Sequence, residues 1–123
     1  MELHVGPIDP TQLAREYSQA TIYVNPSTAE SYSMTNREAL ACGTPIITLN
    51  SGGSTEDLDS PAVTICADRL ACIEAVHSRI TELRDSAFRT RLGILAKAVA
   101  DSLYANKTNL SSLFSIYEKN FCD

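Results

Sequence analysis

The stretch PSTAESYSMTNREALACGTPII, residues 26–47, decides how this chain folds. A proline follows the apolar run TIYVN (21–25), and the far end lies inside a second run, TPIITLN (44–50). Between them a polar loop passes into NREALACG (36–43). TIYVN reads as a strand ended by Pro26, because proline has no N–H to give to a sheet ladder. NREALACG reads as a short helix closed by Gly43, the residue type that most easily takes the left-handed conformation past a helix end. The unbroken apolar run PIITL suits a strand covered on both faces. Strand, helix and strand in this order form the unit of a parallel sheet with right-handed crossovers.

Outward from this unit the alternation continues. LHVG (3–6) is apolar enough for a strand, and DPTQLAREYSQA (9–20) carries a helix start, with Asp9 as N-cap, Pro10 at the first helical position and Gln12 at the third. Leu13, Tyr17 and Ala20 fall on one face of that helix. Downstream, SGGSTEDLDSP (51–61) is a glycine-led turn and AVTIC (62–66) a further strand. The period then changes. Leu70, Ile73, Val76, Ile80 and Leu83 recur at helical spacing, as do Phe88, Leu92, Leu95, Val99 and Leu103. A last helix carries Leu110, Leu113, Phe114, Tyr117 and Phe121. The fold class is α/β: a parallel sheet of about four strands in residues 1–66, then a helical tail in residues 67–123.

Composition narrows the function classes. The chain has 123 residues, with 10 Lys plus Arg against 15 Asp plus Glu and a net charge of -5. Without a basic run, neither a nucleic-acid backbone nor an anionic membrane is expected as the main partner. No apolar run approaches the roughly 18 residues of a membrane span, and no signal-like segment opens the chain, so a cytoplasmic location is expected. The cysteines, Cys42, Cys66, Cys72 and Cys122, form no Cys-x2-Cys pair and read as buried free thiols; no metal site is expected.

The stretch 26–47 also carries two glutamates, Glu30 in the loop and Glu38 in the helix. In open parallel sheets ligands gather at the carboxyl ends of strands, where loops turn into helix N-termini. Unpaired N–H groups and the positive end of the helix dipole hold an anion there without a basic side chain. Neighbouring carboxylates suit paired hydroxyl donors, as on a ribose or hexose. Sugar plus phosphate fits that mixture. Each residue also has a plainer reading: TNRE (35–38) matches a capping box, with Thr35 as N-cap and Glu38 at the third helical position. Glu30 also reads as a solvated loop carboxylate, and Gly52-Gly53 as a tight turn. A phosphorylated receiver domain uses a similar frame, but it needs clustered aspartates and a lysine at strand ends, which TIYVNP and PIITLN lack.

Pro26-Ser27, Glu30 and Glu38 with seven residues between them, EALACGTPII, and GGSTE (52–56), in this order, resemble the donor-binding half of retaining GT-B glycosyltransferases of family four, the glycosyl transferases group 1. The resemblance spans residues 3–65. It implies an incomplete Rossmann-like sheet, part of a GT-B fold, and a partial nucleotide-sugar-binding domain over residues 1–123. It further implies transfer of a sugar from a nucleotide-diphosphate donor to an unidentified acceptor, with retention and without a required metal or other cofactor. Glu30 would be the catalytic-site glutamate beside the transferred sugar, and Glu38 would accept from the ribose hydroxyls. The backbone at Ser33, Met34 and Thr35 would face the diphosphate, with Gly52 and Gly53 closing on the donor.

Two departures from the family pattern stand out. Glu30-Ser31-Tyr32-Ser33 replaces Glu-Gly-aromatic-Gly, which adds side chains beside the expected sugar position. Arg37 stands where an apolar residue is usual, a substitution expected to lie on the helix surface. The resemblance also implies two opening strands with an Arg/Lys pair that clamps the diphosphate, and an acceptor-holding N-terminal domain, which residues 1–123 are not expected to supply. The chain alone is therefore expected to be inactive and to need that domain or a partner chain. A non-catalytic, truncated or partner-dependent α/β module is the alternative.

Overall fold

The computed structural model describes residues 9–27, 34–50 and 58–106. The expected strand at 3–6, the turn at 51–57 and the final helix lie outside the described residues.

Helix α1 (Pro10–Gln19) starts as the sequence predicts, with the Asp9 side chain accepting from the Thr11 N–H and proline in the first turn. Its buried residues are Ala14 and Tyr17, with Leu13 packed at the margin. Ala20, expected on that face, is instead the exposed C-cap with extended backbone, because the helix ends one residue earlier. Strand β1 (Tyr23–Asn25) follows, then α2 (Met34–Ala41), β2 (Ile46–Leu49) and β3 (Val63–Cys66). The three strands are parallel in the order β1-β2-β3. All four residues of β2 are buried, as its unbroken apolar run predicts for the central strand.

Alternation along β2 divides the core into two layers. Ile46 points into the cluster that α1 and α2 form with α4 (Ser86–Asn106), which includes Ala14, Tyr17, Leu40, Ala96 and Leu103. Ile47 and Leu49 point the other way, into a cluster with Cys66, Cys72 and Val76 under α3 (Arg69–Glu82). The molecule is therefore an α/β/α sandwich over the described residues. Gly43 closes α2 at φ 77, a conformation that suits its missing side chain, and its carbonyl oxygen lies against Gly93 on α4. That close approach lets α4 pack down on α2.

Helix α3 departs from the predicted stripe. Leu70 and Ile73 are 64% and 66% exposed, and Ile80 is also exposed. Leu83 of the predicted stripe is buried and Val76 packs inward, but Cys72, with Ala71 and Ala75 beside it, turns to the sheet in place of the exposed residues. These small side chains bring the helix close to β2 and β3. Arg79 reinforces the same orientation, donating to the Pro61 carbonyl at 2.9 Å and to the Thr64 hydroxyl at 3.3 Å. In α4 the predicted stripe holds: Leu92 and Leu103 are buried, while Leu95 and Val99 pack against the core.

Candidate functional site

The carboxyl end of β1 meets the first turn of α2 through three buried polar side chains. Asn25 closes β1, Asn36 sits in the first turn of α2, and Thr48 lies opposite Asn25 on β2. Asn25 Nδ2 donates to Asn36 Oδ1 at 3.1 Å, and Asn36 Nδ2 donates to Thr48 Oγ1 at 3.1 Å. Asn25 Oδ1 also accepts from the Ser27 N–H at 3.2 Å, which turns the chain out of the strand. An apolar sheet end thus has one hydrogen-bonded seam, which fixes where α2 begins relative to the two strands.

Of the expected site residues, Met34, Thr35 and Glu38 lie in α2. Glu30, Ser33, Gly52 and Gly53 lie outside the described residues. The helix begins at Met34, so Thr35 is its second residue and Glu38 its fifth. The capping box is overturned by this start. Met34 packs, partly buried, against the α1–α2–α4 cluster, and the helix starts two residues before the Asn36 start that a Thr35 cap would give.

At its fifth helical position Glu38 points inward. It is 8% exposed, and its Oε2 accepts from the Tyr17 hydroxyl at 3.3 Å. The Tyr17 ring stands edge-on to Tyr23, with centroids 5.5 Å apart and planes at 80°. Thr44 holds the same residue from below, its hydroxyl donating to the Tyr17 carbonyl. A carboxylate so little exposed needs such donors, since its desolvation is otherwise costly.

Arg37, expected on the helix surface, is fully buried. Helix α2 lies between the sheet and two other helices, so Asn36 through Ala41 are all buried and no side of the helix at Arg37 faces solvent. Its Nε makes no hydrogen bond, although the side chain as a whole is partnered.

Beyond β2 and β3 the carboxyl ends frame a cavity of about 420 Å³ lined by Leu49, Asn50, Ala67, Asp68 and Arg69. Asp68 caps α3 there, accepting from the Ala71 N–H at 2.8 Å. Among the described residues no group of His, Cys, Asp or Glu is arranged to hold a metal ion, and no helix is long and apolar enough to cross a membrane. Cys42, Cys66 and Cys72 are buried free thiols. Burial, followed by the hydrogen bond with Cys72, pushes the Cys66 thiol up to about 11.

Sequence reasoning placed Tyr17 in the core and missed its hydroxyl's role. It also passed over Asn25, Asn36 and Thr48. The available signal was polarity at the carboxyl ends of otherwise apolar strands, in YVN and ITL.

Comparison with known proteins places these elements in a family. Residues 3–91 match the family described as glycosyl transferases group 1. Spore coat protein SA of Bacillus subtilis is 30% identical over 115 residues, 92% of this chain and 30% of that protein. D-inositol 3-phosphate glycosyltransferase 2 of Catenulispora acidiphila is 42% identical over 64 residues, 51% of this chain and 15% of that one. D-inositol 3-phosphate glycosyltransferase of Paenarthrobacter aurescens is 29% identical over 115 residues, 94% of this chain and 28% of its own length. The chain therefore spans 30% or less of the length of these relatives. No solved structure matches it significantly.

Proposed function

The chain belongs to the glycosyl transferases group 1 family, with the Rossmann-like GT-B architecture of its α/β sheet, and from this premise we propose that it forms the donor-binding part of a retaining glycosyltransferase. The donor is a nucleotide-diphosphate sugar. Glu38 accepts from the ribose hydroxyls, and Glu30 borders the transferred sugar. The backbone from Ser33 to Thr35 meets the diphosphate at the N-terminus of α2, and Gly52-Gly53 approaches from the neighbouring loop.

The observation that carries this reading is the placement of Glu38: a nearly buried carboxylate in the first turns of the helix that follows β1, held by a tyrosine hydroxyl. Unpaired N–H groups at a helix N-terminus stabilise charge gathering on a departing diphosphate, and fixed donors do this without reorganising. The chemistry assigned to this segment is therefore binding, orientation and charge stabilisation. Turnover belongs to the assembly that also holds the acceptor. The same segment is similar to relatives named D-inositol 3-phosphate glycosyltransferase and spore coat protein SA, which supports a shared donor side over a shared acceptor.

A second reading is a partner-dependent module without catalysis, in the cytoplasm or elsewhere. It is favoured by the similarity of 92% of the chain to a protein named for the spore coat and not for sugar transfer. An NMR titration with UDP-glucose and GDP-mannose separates the two. The donor reading expects shifts at Met34, Thr35 and Glu38 that weaken at least fivefold in affinity with Glu38→Gln, about the effect of one charge-assisted hydrogen bond. A folded chain that shows no shifts at millimolar ligand would leave only the non-catalytic module.

A further inference from the structure

Tyr17 lies outside every motif that pointed to a site, yet three elements converge on it. Its ring is fixed against Tyr23 of β1, its backbone carbonyl is held by the Thr44 hydroxyl beyond α2, and its own hydroxyl donates to Glu38 Oε2 at 3.3 Å. A core tyrosine needs only some acceptor for its hydroxyl, and backbone or water serves for most. Here the acceptor is a carboxylate 21 residues away on another helix.

A carboxylate has about four lone-pair sites on two oxygens, so accepting from the phenol does not exhaust its capacity to accept from a ligand. Two neighbouring hydroxyls of a ribose are matched only when the carboxylate plane is turned toward both. The Tyr17 hydroxyl on Oε2 constrains that plane. We infer that Tyr17 is a positioning residue that fixes the Glu38 carboxylate for the vicinal hydroxyls of the nucleotide ribose, and so sets the preference for ribose over deoxyribose. This rests on the nucleotide-sugar reading above.

The test compares UDP, GDP and ADP with their 2′,3′-dideoxy forms by NMR titration of the wild-type chain, Tyr17→Phe, Glu38→Gln and the double variant. For whichever base binds, the wild type should favour the ribonucleotide by about tenfold, and Tyr17→Phe should shrink that preference about threefold to fivefold while leaving dideoxy affinity unchanged. In the Glu38→Gln background Tyr17→Phe should have no further effect. Equal weakening of both ligand forms, or an unchanged preference, overturns the inference and leaves Tyr17 a core residue.

The wild type gives a second measurement that does not depend on the variant folding. The Tyr17 13Cζ resonance, one of five tyrosines, should move on binding the ribonucleotide and stay in place with the dideoxy form; equal movement with both overturns the inference. If none of the three ribonucleotides binds the folded wild type, the nucleotide-sugar reading fails and the inference falls with it. Binding with a preference indifferent to Tyr17 removes the inference alone.

Discussion

Replacing Asn36 by leucine tests whether the polar seam at the carboxyl end of the sheet holds the fold together. Leucine keeps the branched skeleton of asparagine with bulkier methyl ends, so the change removes the polar groups without opening a cavity, and any crowding adds to the loss. Two hydrogen bonds disappear, each 3.1 Å long and both buried, because Asn36 is 0% exposed. At about 1 kcal/mol net per bond this gives about 2 kcal/mol, and leaving the Asn25 amide short of an acceptor adds about 1 kcal/mol more. The expected loss is about 3 kcal/mol, a large part of the stability of a small domain, with a fall of about 10 °C in Tm. Thr48→Val removes the second bond from its other end and should cost about 1 kcal/mol. Since both changes break the same contact, the double variant should be less destabilised than the sum by about 1 kcal/mol. Urea unfolding followed by circular dichroism measures all four forms. A loss under about 0.5 kcal/mol for Asn36→Leu, or strict additivity with Thr48→Val, would refute the reasoning.

Three further outcomes follow from the packing. Ile73→Gln should change stability by less than about 0.5 kcal/mol because the side chain is exposed, whereas Leu92→Ala should cost about 2–5 kcal/mol in urea unfolding. Gly43→Ala should cost about 1 kcal/mol or more through its positive φ alone, and Gly93→Ala a similar amount, because the new Cβ would stand 3.1 Å from the Gly43 carbonyl oxygen; thermal melts read both. Cys66 is raised from 9.0 to about 11, chiefly by burial, so the native chain keeps a proton that the unfolded chain releases. Stability relative to a Cys66→Val variant should therefore fall as pH rises from about 9 to about 11, measured by denaturant midpoints.

The parallel core was legible because its elements are punctuated locally. Asp9 and Pro10 start α1, and Gly43 ends α2. The unbroken apolar run of β2 matches burial on both faces. Such signals depend on backbone chemistry at one position, so they survive without knowledge of neighbours. The α3 prediction was only half right, for the opposite reason. Val76 and Leu83 of the predicted stripe pack inward, but Leu70, Ile73 and Ile80 are exposed while Cys72 and Ala75 turn to the sheet. Periodicity prefers the bulkier residues, but the sheet takes the smaller ones, which permit closer approach and let Arg79 reach Pro61 and Thr64. The site divides the same way. The order of Glu30 and Glu38 is a property of the chain, whereas the bond from Tyr17 to Glu38 joins residues on separate helices and exists only once α1 and α2 have packed.

That packing also explains how α2 can belong to the core and to the site. From Asn36 to Ala41 every residue is buried, while Met34 and Thr35 at its start are only partly so. The helix is clamped along its body and only half-buried at its first two residues. Asn36 ties that first turn to β1 and β2, and Tyr17 ties Glu38 to α1. A binding group held from several sides loses little freedom when a ligand arrives, which is the physical content of preorganisation. The polar residues that look out of place in an apolar core are therefore those that fix the first turns of α2 against β1, β2 and α1, and on the proposed donor-binding reading their removal should disturb ligand geometry even where the fold survives.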